Sequence, residues 1–299
     1  MISKLITLWV QVRDFFLYLF RNAIVVNGYV DDHTLWGIRH RNWGDDLNYY
    51  FMRELTGRPV VFYHNFKLAQ WFHFTNYLCI GTLLDALNYS NKQTIVWGTG
   101  VSGQERDFVH PKQVCSVRGP MTHAFAERYG VGCPKVYGDP AMLLPWVYSP
   151  KVSPKYKWGI IPHVVDLHHP VVEAIRTQHP EIKIIDLAHY ERWTDVIDDI
   201  CSCEKIASSS LHGLIVSDAY GIPNSWVELS GKISGGYFKF QDYGASVGRE
   251  MTVPVRLTSV EELLQLEVAS LSGMPLVDKE MLLRACPLPV RKKFMPWVN

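Results

Sequence analysis

Past the first 26 residues, compact apolar runs alternate with stretches whose apolar side chains recur at helical spacing. "GYVDDHTLWGI" reads as a strand, and "GDDLNYYFMRELTG" reads as a helix stopped by Gly57. "PVVFY", "YLCIGTLL", "TIVWGTG" and "QVCSVRG" read as further buried strands. "PMTHAFAERYG" opens with Pro120 at a first helical position and closes at Gly130, and "PKVYGDPAMLL" ends this half. Pro145, Pro150 and Pro154 then punctuate a stretch with Ser and Lys, a linker pattern. Beyond it the pattern becomes regular. "KYKWGIIPH", "IKIIDL", "KIASSS" and "NSWVEL" are strands, separated by the helical "HPVVEAIRTQHP", "ERWTDVIDDICSC" and "LHGLIVSDAYG".

This alternation predicts an α/β protein with parallel, doubly wound sheets. Two Rossmann-like domains facing each other across a cleft are the expected architecture. The expected division is an apolar or amphipathic N-terminal helix (1–26), an N-terminal α/β domain (27–147), a linker (148–156), a C-terminal α/β domain (157–260), and C-terminal helices with a basic, aromatic tail (261–299). No internal repeat or low-complexity tract stands out.

The opening stretch "MISKLITLWVQVRDFFLYLF" is rich in Leu, Phe and Trp, but Lys4, Arg13 and Asp14 interrupt it. It lacks the long uncharged run of a spanning helix and the small-residue cleavage site of a signal peptide. Two readings stay open: a helix packed on the protein's own core, or an amphipathic helix lying in a membrane interface. The tail "VRKKFMPWVN" has the same basic and aromatic character.

Charge narrows the partners. Lys and Arg number 30 against 29 Asp and Glu, a net +1, so no field draws the chain to nucleic acid. The six cysteines form no C-x-x-C pair, and Cys201 and Cys203 lie in an apolar-periodic stretch where buried thiols are expected. A reducing, cytoplasmic setting fits them.

The candidate chemistry gathers at strand-to-helix turns, where a doubly wound sheet binds its ligands. In "SSSLHG", the helix start offers unpaired backbone amides, Ser208, Ser209 and Ser210 add hydroxyls, and Gly213 permits close approach. His212 adds a titratable group to that turn. "RNWGDDLN" places Asn42, Gly44 and Asp45 at a second such turn, with Asp45 the expected N-cap. Arg118 precedes a helix start, where a guanidinium grips a carboxylate or phosphate with two hydrogen bonds. Asp139 stands in a turn before Pro140, and His163 lies just past a strand. His163, His168 and His169 lack a matching carboxylate pattern, so no metal is expected there.

Taken in order, "NWGDDLN", "VWGTGV", "SVRGPMT", "VYGDPAMLLP", "IIPHVVD" and "SSSLHGLIVSDAYGIP" resemble the polysaccharide pyruvyl transferase family, in particular its exopolysaccharide ketal-pyruvyl transferases. The resemblance runs from about Asn42 to about Gly248. It implies a GT-B-like pair of domains with the donor site in the second, phosphoenolpyruvate as co-substrate and no metal or other cofactor. The implied acceptor is a sugar of a bacterial cell-surface polysaccharide or of its lipid-linked precursor, and the product a pyruvate ketal. The implied place is the cytoplasm, peripheral at the inner face of the cell membrane.

The family's Leu-His pair falls on Leu211 and His212, and its mid-chain arginine on Arg118. Some members carry Arg where this chain has Ser210, so either Lys205, Arg106 or Lys239 supplies that charge or the donor binds in a different pose. On the resemblance, His212 exchanges protons with the reactants and Arg118 clamps donor anions, while Asp45 either orients an acceptor hydroxyl or simply caps its helix. Two rivals differ in kind. A nucleotide-sugar glycosyltransferase on the same fold would need a ribose clamp, for which Glu228 is the one candidate. A non-catalytic membrane-surface assembly protein would use only the N-terminal stretch.

Overall fold

The computed structural model describes residues 2–86, 89–105, 107–233, 236–269 and 277–295. The chain opens with helix α1 (Ile2–Arg21) and then enters a five-stranded sheet. Its strands are β1 (Ile24–Asn27), β2 (Val60–Phe62), β3 (Asn76–Leu78), β4 (Thr94–Trp97) and β5 (Gln113–Ser116). Between them lie α2 (Trp43–Thr56) and α3 (Lys67–Trp71), and α4 (Pro120–Arg128) follows. The 3-10 turn Pro140–Leu143 and the short α5 (Leu144–Val147) lead to a second sheet.

That sheet has β6 (Tyr156–Ile161), β7 (Ile182–Ile184), β8 (Cys203–Ser208), β9 (Asn224–Glu228) and β10 (Val255–Arg256). It alternates with α6 (Pro170–Gln178), α7 (Trp193–Cys201), α8 (Leu211–Ala219) and α9 (Phe238–Ser246), and α10 (Val260–Leu264) and α11 (Lys279–Arg284) close the chain. Every ladder in both sheets is parallel.

The strand orders are β2-β1-β3-β4-β5 and β10-β9-β8-β6-β7. Counted within each sheet, both run second, first, third, fourth, fifth. A topological repeat is therefore present that no sequence similarity between the halves announces. The two domains are Rossmann-like, and each has its switch point beside its first strand, between β1 and β3 and between β6 and β8.

One expected strand is corrected. The strand lies upstream, in the uniformly buried "IVVN" of β1, and Gly28–Ile38 is a loop with one isolated bridge from Asp31 to Arg39. A parallel strand buried on both faces is a continuous apolar run. The stretch Gly28–Ile38 instead carries Asp31, whose carboxylate takes the His33 N–H at 3.2 Å and turns the chain. The helix beginning at Trp43 is capped by the Asn42 side chain, which accepts from the Gly44 N–H, and it ends at Gly57 with φ 70°. Asn42 thus holds the capping role expected of Asp45.

The largest buried cluster joins the domains. It takes in Trp43, Leu47 and Phe51 from α2, Met142 and Leu143 from the connection, and Ile161, Leu187 and Ile197 from the second domain. The Trp43 indole donates to the Trp193 carbonyl at 2.7 Å, and the Tyr190 hydroxyl donates to Asp46 at 2.7 Å. Helix α9 packs back on α4, and the Trp97 indole donates to the Leu282 carbonyl of α11 at 2.8 Å. These crossings hold the two switch points in a fixed relation.

Candidate active site

A cavity of about 360 Å³ opens between the carboxyl ends of the two sheets. Four connections, two from each domain, build it. Tyr29 follows β1, Gly81 and Thr82 follow β3, His163 follows β6, and Ser210, Leu211 and His212 follow β8. Those are the strands that flank each switch point. Asn42 and Asp45 enter on the first turn of α2, and Lys239 enters on α9. The N-termini of α2 and α8 therefore meet at one cavity, bringing two positive dipole ends together, although the first amides of α2 are taken by the Leu187 carbonyl and the Asn42 side chain.

His212 sits at the junction. It is buried, and its Nε2 has no protein hydrogen-bond partner among the described residues. A Cβ built on Gly44 would lie 2.0 Å from its Nδ1, so glycine is what lets the backbone of α2 lie against the imidazole. Gly213 does the same behind it: a Cβ there would meet the Ser208 hydroxyl at 2.3 Å. Burial pushes the His212 imidazole down to about 3, and the charges of Lys239 and Arg118 add to the effect, followed by His163. These causes favour the neutral form of the ring.

The carboxyl group opposite is pushed the other way. Asp45 is the third residue of α2, its Oδ1 facing Gly81 across 3.7 Å from the position a Cβ would take. Burial and, after it, the neighbouring Asp46 push it up to about 7, against the opposing effect of Lys239 and an Asn42 hydrogen bond. Burial also brings Lys239 down to about 8, with Arg118 pushing in the same direction. His163 is lowered to about 4 by burial and Lys239. An imidazole held toward its neutral form and a carboxyl held toward its acid form thus face one cavity.

Other expected site residues lie behind the wall. Arg118 is fully buried, with Nε on Asp242 at 3.0 Å, one Nη on the Val101 carbonyl and the other on the Thr82 hydroxyl at 2.9 Å. It touches the cavity through Thr82 rather than directly. Asp139 caps the 3-10 turn by accepting from Ala141 N–H at 2.9 Å. Ser208 accepts from Ser210 N–H at 3.0 Å, and Ser209 accepts from His163 N–H at 2.9 Å. These two hydroxyls shape the turn, and only Ser210 of the three lines the cavity.

Among the candidate cations, Lys205 lies over the Trp158 ring at 5.5 Å, away from the site, and Arg106 lies outside the described residues. Lys239 is the one at the cavity. Tyr29, Thr82, Ser102 and Gln104 also line it and were not anticipated. The turn residues of "IGT" after an apolar run were the available signal for Thr82. Among the described residues, no group of three or more His, Cys, Asp or Glu is placed to hold a metal ion. His168 pairs instead with Glu173 at the surface.

The chain is also similar to known proteins. Residues 68–230, more than half of the chain, match the model of the family described as polysaccharide pyruvyl transferase. The chain is 29% identical over 217 residues to an uncharacterized protein, L143, of Acanthamoeba polyphaga mimivirus, covering 71% of this chain and 73% of that one. It is 29% identical over 232 residues to the succinoglycan biosynthesis protein ExoV of Rhizobium meliloti (strain 1021), covering 74% and 67%. With a family model matching more than half of its length, the chain belongs to the polysaccharide pyruvyl transferase family.

Proposed function

We propose that the protein transfers a pyruvyl group from phosphoenolpyruvate to a sugar of a polysaccharide's lipid-linked precursor, forming a pyruvate ketal, in a GT-B-like cleft. The observation that carries the reading is the meeting of His212, Asp45 and Lys239 in one cavity fed by two helix N-termini. Phosphoenolpyruvate is a small, multiply charged anion, and such a site favours it without a resident metal.

The chemistry follows from the protonation states. The Asp45 carboxyl gives its proton to the methylene carbon of phosphoenolpyruvate, which becomes a methyl group and leaves C2 electrophilic. A sugar hydroxyl attacks C2, and its proton passes to the neutral His212 Nε2. The bond from C2 to the phosphate oxygen then breaks and phosphate leaves. A second hydroxyl of the sugar adds to C2, its proton is lost to solvent or to the Asp45 carboxylate, and the ketal closes. Lys239 and the amides of α8 hold the donor's negative charge, and that charge raises the pKa of His212 while the reaction runs. Arg118 supports the wall by holding Thr82. A lipid-linked acceptor places the enzyme in the cytoplasm at the inner face of the membrane.

The test is phosphate release from phosphoenolpyruvate with membrane-extracted lipid-linked glycans as acceptor. Acceptor-dependent release that falls by about 10²–10⁴ in His212→Gln, with the fold unchanged, is the expected result. A mutant within threefold of the parent, or binding of a sugar nucleotide in place of phosphoenolpyruvate, would overturn it.

A further inference from the structure

Helix α1 is apolar on two sides. Val10, Asp14 and Leu17 face inward, and the Gln11 side chain is bound to the 65–67 turn, donating to the Asn65 carbonyl and accepting from Lys67 N–H at 2.8 Å. The Trp9 indole donates to the Leu35 carbonyl at 2.7 Å and its ring meets Trp36 edge-on. The opposite face carries Leu5, Leu8, Val12, Phe16, Leu19 and Phe20, all exposed, at the 3–4 residue spacing of a single stripe. Trp36 (75% exposed) borders this stripe, and Trp71 (69%) stands at the end of the neighbouring α3. Monomers in water seldom expose so much contiguous apolar surface.

Charge around the stripe is mostly positive. The helix has a single acidic residue, Asp14, and it is turned inward beside Arg13. At the carboxyl end, an apolar groove lined by Phe16, Phe20 and Trp36 meets at Leu17 and Arg21 a second cavity, of about 430 Å³, where Arg53, Arg58 and Arg291 gather. Glu54 is the one acidic residue there. Apolar stripe, tryptophans at its borders and arginines at its end together complement an anionic lipid surface.

We infer that the outer face of α1 docks the protein on an anionic lipid bilayer. The inference rests on the membrane-surface location proposed above but not on the donor chemistry. Its geometry suits a lipid-linked acceptor: the loop 28–42 carries Trp36 at the apolar face, while its Tyr29 and Asn42 line the catalytic cavity. A glycan tethered to the bilayer then reaches the cleft across one loop.

The experiment is co-sedimentation of the full chain with vesicles of phosphatidylcholine alone or mixed with phosphatidylglycerol. Binding to the anionic vesicles, weakened by salt, is expected. Leu8→Ser/Phe16→Ser/Phe20→Ser should bind at least about tenfold more weakly, and Arg21→Gln/Arg53→Gln should weaken only the anionic preference. Phosphate release with a soluble acceptor should stay unchanged in both. No vesicle binding by the parent chain would overturn the inference, as would undiminished binding by the triple variant. A dimer dissolved by the triple variant, seen by sedimentation equilibrium, would assign the face to a second copy instead. Loss of phosphate release with vesicle binding intact would fell the donor reading alone.

Discussion

The imidazole of His212 lies against the backbone of Gly44, its Nδ1 only 2.0 Å from where a Cβ on that residue would stand. One residue opens a helix of the first domain and the other opens a helix of the second. Their contact joins the two switch points, so the position of the proposed base is set by the packing of α2 rather than by its own helix alone.

Gly44→Ala should therefore act on chemistry more than on folding. The added methyl must displace the ring, and a misplacement of about 1 Å in a catalytic group costs roughly 10² in rate. We expect a turnover loss of that size with an unchanged circular dichroism spectrum. Turnover equal to the parent's would show that the ring is free to move.

The proton on Asp45 sets the expected pH dependence. Because burial holds this carboxyl up to about 7, its acid form is lost as pH rises through that value, and kcat/KM should fall above it. Asp45→Asn should remove most activity at every pH.

The same shift has a signed effect on stability. A carboxyl whose pKa is higher folded than unfolded makes the folded state bind more protons across about pH 4–7, so its contribution is present in acid and lost as pH rises through about 7. In urea melts, Asp45→Asn should be more stable than the parent at pH 8, with the difference closing toward pH 4.

Lys239 is the cation at the cavity, and its removal should show in binding. Lys239→Gln should raise KM for phosphoenolpyruvate about 10–100-fold, the range of one charge-assisted hydrogen bond. Relief of its positive field should also raise the His212 pKa, readable from the imidazole proton shift in a titration.

Arg118 and Asp242 form a fully buried ion pair, and Asp242 also accepts from the Thr122 N–H and hydroxyl. Asp242→Ala leaves the guanidinium buried and uncompensated, which costs about 3–5 kcal/mol. We expect a large drop in the urea midpoint, together with release of α9 and hence weakened donor binding through Lys239.

Much of this protein is written in local pattern. Short runs with three or four buried residues each named β4, β6, β8 and β9, and Gly57 and Pro120 marked helix ends, because backbone conformation and burial leave a signature within one element. The turn after β8 made His212 and Ser210 legible for the same reason. The strand expected over Gly28–Ile38 lies upstream because a loop carrying apolar residues mimics strand alternation. Tertiary structure decided the rest. Lys239 reaches the cavity only because α9 crosses back to α4, and Arg118 is a wall residue only because Asp242, 124 positions away, lies beside it. The opposed pKa shifts of His212 and Asp45 come from burial by both domains. Desolvation is a property of neighbours in space, and no periodicity along one chain segment specifies who those neighbours are.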